Sequence, residues 1–166
     1  APVHNYGTGY FTVTLTVTNG SSETASRTRT QYIKIRPEVV YVSGSGLNLA
    51  PYETWARAAR SVDDAVFVGA SAVLISNGTY AVKGYAGYGI TVNDDMTIRG
   101  VNGPGVTILD AGNVSPRRIF IVNAPGARIE GLTARRSLWK HPAATSTGDG
   151  GNIKINAGVV TNCIAT

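Results

Sequence analysis

Residues 38–80 read EVVYVSGSGLNLAPYETWARAARSVDDAVFVGASAVLISNGTY, and this stretch decides the fold. A β-branched run leads into a Gly/Ser/Asn loop, then one short amphipathic segment, then a second apolar run closed by Asn77-Gly78-Thr79-Tyr80. In residues 53–66 the apolar positions Trp55, Ala58, Ala59, Val62 and Val66 fall on one helical stripe,. Pro51 suits a helix start and Gly69 a C-terminal cap,. Downstream the chain reads as short strands and turns. One helix ahead of a strand series is how a solenoid covers its open end, since a bare stack exposes apolar core and unpaired strand edges. The stripe, with Trp55 in it, is therefore expected to pack as a cap over the first coil.

The strand series repeats. Ile90-Thr91-Val92-Asn93, Phe120-Ile121-Val122-Asn123 and Ile153-Lys154-Ile155-Asn156 are each followed by a second short apolar run, containing Ile98, Ile129 and Val160 in turn. A period of about thirty residues with a turn asparagine at one position is the mark of stacked coils. The three asparagines are expected to bond one another's amides, as Asn ladders do in stacked strands. An antiparallel sandwich of similar strands is the competing reading, and the repeated register favours the solenoid. Polar segments at 85–89, 102–105, 113–118 and 137–151 read as insertions between rungs. The last carries Trp139, Lys140 and His141, and loops on a rigid scaffold are where binding usually resides,.

Composition agrees with an all-β chain. Of 166 residues, 20 are Gly and 15% are charged, with abundant Thr, Val, Asn and Ser,. The single Cys163 gives no internal disulfide and no CxxC metal cluster, and its alignment with Leu132 predicts a core position,. No apolar run is long enough to span a membrane as a helix,. The first residues are polar and extended, so the chain reads as a piece of a longer protein. The net charge of +5 is uneven. Arg117, Arg118, Arg135, Arg136 and Lys140 cluster in sequence, and with Trp139 and His141 they form the candidate ligand-binding set. A basic face steers polyanions, acidic polysaccharide before nucleic acid; the bland alternative is a solvated surface.

Ahead of the coils, YFTVTLTVT at 10–18 alternates Phe11, Val13, Leu15 and Val17 with threonines, the pattern of a half-buried antiparallel strand,. Asn19-Gly20-Ser21-Ser22 supplies a turn, and a second strand runs over 27–35 until Pro37,. The phrase from residue 3 to 35, with His4, Tyr6, Gly9, Tyr10 and the Thr/Val strand, resembles the C-terminal part of a PKD domain, an immunoglobulin-like β-sandwich of surface proteins. The family's earlier strands are absent from the sequence. Residues 38–80 in turn resemble the cap and first coil of right-handed parallel β-helix proteins of the pectate-lyase-like superfamily. The chain then divides into 1–37, the end of a sandwich, and 38–166, the start of a β-helix.

These resemblances imply a secreted or cell-surface structural or adhesive protein that contacts glycan. The unfinished ends imply self-assembly into homo-oligomers, fibres or a surface layer. The superfamily also holds polysaccharide lyases and glycoside hydrolases, so the alternative is the N-terminal part of such an enzyme. For that alternative the resemblance implies Ca²⁺ bound by acidic clusters with an Arg or Lys base. Asp94, Asp95, Asp110, Glu130 and Asp149 with Arg99, Arg128 and Lys154 are the residues of the right type, and they match no catalytic motif of the family. No cofactor is expected otherwise, and catalysis is not expected within these residues.

Overall fold

A computed structural model describes residues 5–83, 89–113, 118–138 and 151–166. The chain forms two compact units, residues 1–36 and residues 37–166.

The first unit is a hairpin of β1 (Gly9–Thr18) and β2 (Thr24–Ile35), paired antiparallel. Its turn is held by Asn19, whose side-chain oxygen accepts the amides of Ser21 and Glu23, both at 3.0 Å. One face is a row of hydroxyls, with Thr14 against Thr28 at 3.0 Å and Thr16 against Ser26 at 2.7 Å. The other carries Val13, Leu15 and Val17 opposite Arg29, Arg27 and Ala25. Leu15 and Val17 are exposed rather than half-buried, because two strands supply only one layer and cover one face of nothing,.

The second unit is a parallel β-solenoid of about 3 turns. It opens with β3 (Val39–Val42), α1 (Val62–Val68), β4 (Ala72–Ile75), β5 (Gly78–Ala81) and β6 (Ile90–Val92). Then come β7 (Thr97–Gly100), β8 (Thr107–Asp110), β9 (Phe120–Val122), β10 (Arg128–Glu130), β11 (Thr133–Arg135), β12 (Ile153–Ile155), β13 (Val159–Thr161) and β14 (Ile164–Ala165). The coils supply three parallel sheets of five, four and three strands, ordered β3-β4-β7-β10-β13, β5-β8-β11-β14 and β6-β9-β12. All pairs within them are parallel, which excludes the antiparallel sandwich.

Register places like on like. Val40, Val73, Ile98 and Ile129 stack inward with no exposed surface, and Val160 continues the column at the last coil. Burial of each such side chain contributes about 1.5–3 kcal/mol. Leu109 and Ala134 form a second column, and Ile90 and Phe120 a third. The expected asparagine ladder is present: Asn123 Nδ2 donates to Asn93 Oδ1 at 2.7 Å, and Asn156 Nδ2 to Asn123 Oδ1 at 2.6 Å. Replacing Asn123 by alanine removes two bonds at an exposed corner. We expect a loss of about 1 kcal/mol, measured by urea denaturation.

Three expectations need correction. The helix is seven residues long, beginning after Ser61 rather than near Pro51, although Gly69 does close it in the left-handed conformation at φ 74°. Residues 47–60 instead fold back on themselves, Leu47, Asn48 and Leu49 donating to Ala56, Ala58 and Arg57, and meet the outer edge of β3 through Tyr52 and Ala59. Tyr41 N donates to Tyr52 O, Ala59 N to Tyr41 O and Ser43 N to Ala59 O, each at 2.9 Å. Satisfying the strand's otherwise unpaired edge outweighs helical bonding in this segment. Trp55 is thus not a core residue. It is 43% exposed, with its ring 4.6 Å from that of Tyr41, while Ala58 and Ala59 are fully buried. The cap therefore has two parts, the strand-like edge segment and α1, whose Val62, Ala65 and Val66 join the core. Finally, 102–105 is a corner of the coil and not an insertion. It turns β7 into β8, and Asn102 Nδ2 bonds Asn77 Oδ1 of the preceding corner at 2.7 Å.

Candidate functional site

The basic candidates fall in different environments. Arg118 is 2% exposed and belongs to the interior. Arg117, Trp139, Lys140 and His141 lie outside the described residues, as does Asp149. Arg135 and Arg136 come together at the end of β11, where the parallel register sets Arg135 beside Asp110 of β8. Arg136 Nε and its terminal nitrogen grip both oxygens of Asp110, at 2.8 and 2.7 Å, and Arg135 Nε adds a third bond at 3.0 Å. The Gly112 amide donates to the same carboxylate at 2.8 Å. Two cations thus share one anion that is 5% exposed, while their own side chains are 36% and 53% exposed. The fork geometry is what arginine offers a planar oxyanion, and it pre-orders both side chains.

Arg136 is the main cause holding the Asp110 carboxyl down, from 3.8 to about 2; burial opposes it, and Gly112 and Arg135 assist. The Arg136 guanidinium is raised in return by Asp110. Because the folded state favours the ionised carboxylate, its contribution to stability is complete above about pH 4. It is lost as pH falls toward 2. With solvent screening of the exposed guanidiniums, this contribution is about 1–2 kcal/mol. Denaturation between pH 5 and 2 should show wild type losing that much more stability than Asp110→Asn.

A second charged group stands on the outward side of the five-stranded sheet. Register lines up Arg99 with Glu130, and Glu130 lies between two guanidiniums, 2.9 Å from Arg128 and 3.5 Å from Arg99. Beside it is a shallow groove of about 180 Å³ with Gly103, Gly131 and Asn162 in its wall. Of the acidic candidates, Glu130 alone lines this groove. Asp110 is held by its arginines, and Asp95 accepts the Gly126 amide at 2.8 Å. No group of three His, Cys, Asp or Glu side chains converges as a metal site among the described residues.

A cavity of about 200 Å³ beside α1 went unread in the sequence. Phe67, 76% exposed, lines it together with Asp63, Asp94 and Met96. Phe67 departs from the apolar stripe, and that was the available signal. Cys163 sits in register beneath Leu132 and packs on the core, half-buried. Burial raises its thiol pKa, and Sγ lies 3.2 Å from the Thr161 carbonyl, so it is a packing residue rather than a nucleophile,.

Comparison with known proteins found no match to this chain in any family model, curated protein or solved structure. The architecture is a parallel β-helix. No helix among the described residues is long and apolar enough to cross a membrane.

Proposed function

We propose that this chain is part of a secreted or cell-surface protein, in which the β-helix is a scaffold that contacts acidic glycan. The observation that carries the reading is the Asp110-anchored arginine pair. Arg135 and Arg136 are fixed at one end, keep exposed surface, and leave a net positive charge. Pre-ordering reduces the entropy lost when such side chains meet a carboxylate or sulfate. The hairpin's resemblance to the end of a PKD domain supports a surface setting, and the residue 38–80 pattern supports kinship with pectate-lyase-like β-helices.

The test is binding to polygalacturonate and heparin across a salt series, by calorimetry. The variant Asp110→Asn/Arg135→Gln/Arg136→Gln removes the cluster without orphaning a buried carboxylate. We expect parental binding to weaken steeply with salt, and the variant's salt slope to be shallower by about 1–2. Equal binding by the two proteins, or none by the parent, would return the pair to a structural role.

An enzymatic reading rests on Glu130 between Arg99 and Arg128 beside the groove. There a carboxylate and two guanidinium cations meet an open surface. Turnover of acidic polysaccharide with and without Ca²⁺, lost in Glu130→Gln, would favour it over the scaffold.

A further inference from the structure

β6 ends its sheet on the cap side, and α1 packs beside it where a further strand would stand. The helix does not fill that place. A cavity of about 200 Å³ remains between α1 and the corner after β6. Val66 and Met96 are the buried part of its lining, Phe67 keeps most of its surface exposed, and Asp63, Asn93 and Asp94 supply polar atoms.

The asparagine ladder leaves a donor there. Each amide nitrogen donates toward the cap, Asn156 to Asn123 and Asn123 to Asn93. Asn93 is the first member, and no acceptor among the described residues takes its Nδ2. Carboxylates supply acceptors beside it. Asp63, 5% exposed, receives Ser61 Oγ and the Lys83 amide on one oxygen, at 3.3 and 3.4 Å. A carboxylate has about four acceptor positions, so others remain.

These groups select a ligand by elimination. No Lys or Arg lines the cavity among the described residues, so an anion meets two carboxylates and is repelled,. A purely apolar ligand strips water from Asn93 and the carboxylates without replacing it. A simple ammonium satisfies the carboxylates but offers the Asn93 amide no acceptor. An uncharged ring with hydroxyls at its edge and C–H groups on its face meets all three demands. Its hydroxyls both donate and accept, and its C–H face matches the Phe67 ring. The volume lies below the roughly 300–1,000 Å³ of pockets for drug-sized molecules, which suits a single ring.

We propose that the cavity between α1 and the β6 corner binds one neutral sugar ring, stacked on Phe67 and held by Asn93 and the carboxylates of Asp63 and Asp94. The site is separate from the Asp110-anchored arginine pair and opposite in charge preference, so it does not depend on acidic-glycan binding.

The test is an NMR titration of the intact chain with neutral tetrasaccharides of glucose, galactose and mannose. Tetragalacturonate and adenosine are the charged and flat-base competitors. We expect saturable shift changes at Phe67 and Asn93 with at least one neutral sugar, and the same affinity in Asp110→Asn/Arg135→Gln/Arg136→Gln. Asn93→Asp keeps the acceptor that Asn123 uses and replaces only the free donor, and it should weaken binding about tenfold,. Phe67→Ala, at an exposed position, should weaken it by about the same factor,. The spectrum of each variant reports whether its fold is retained. No saturable shift at the cavity with any neutral sugar, or unchanged affinity in either variant, would overturn the proposal. So would loss of neutral-sugar binding in the arginine variant, or tighter binding of tetragalacturonate or adenosine at Phe67.

Discussion

Replacing Ile129 by aspartate is expected to unfold residues 37–166, with loss of the β signal in circular dichroism at temperatures where the parent is folded. Ile129 is fully buried, with Ile98 on one side of it and Val160 on the other in consecutive coils. Truncating such a side chain to alanine costs about 2–5 kcal/mol through lost transfer energy and the cavity left behind. Aspartate adds a carboxylate with no partner in an apolar column, and burying it unpaired costs several kcal/mol more. Against a total stability of about 5–15 kcal/mol, the sum is most or all of the fold. Trp55→Asp is the informative contrast. The larger side chain goes, yet Trp55 is 43% exposed and packs in a tilted ring pair with Tyr41 outside the core. A loss of about 1 kcal/mol is expected there. If Trp55→Asp destabilised as much as Ile129→Asp, the edge segment would be as deep in the core as the coil columns.

Gly100→Val is expected to destabilise the same unit by about 3 kcal/mol or more. A Cβ at Gly100 would collide with the Gly131 carbonyl oxygen and press on Thr107. The obstructing atom is backbone in the adjacent coil, so relief requires a shift of the stack rather than a side-chain rotation. Gly131 itself has φ 67°, which holds that corner in the left-handed region where a side chain is strained,. Gly105→Ala is the matched control, since a Cβ there meets open space and should leave the urea midpoint unchanged. Equal midpoints for Gly100→Val and Gly105→Ala would show that the coils are not packed backbone to backbone at this corner.

The sites were legible to different degrees. The sequence spacing of Arg135 and Arg136 marked them as basic, but the carboxylate they share comes from Asp110, one coil earlier. Only the parallel register of β8 on β11 brings it there. Arg118, read as a surface cation, lies inside, because burial depends on which coil face a residue meets. Glu130 likewise acquires Arg99 through register.

Some features follow from sequence alone because they repeat at a fixed interval. The inward columns through Ile98, Ile129 and Val160 and the ladder through Asn93, Asn123 and Asn156 are periodic, and stacking converts period directly into contact. The hairpin is local, set by alternation and the Asn19 turn. The tertiary structure alone decided the third strand of each coil, since Thr107–Asp110 and Thr133–Arg135 share no residue pattern. It also decided the fate of residues 53–60, the first part of the helical stripe, which form no helix and meet the edge of β3 at Ala59. Local periodicity there competes with the unpaired backbone of β3, and the edge bonds win because they satisfy groups that burial would otherwise leave without partners,.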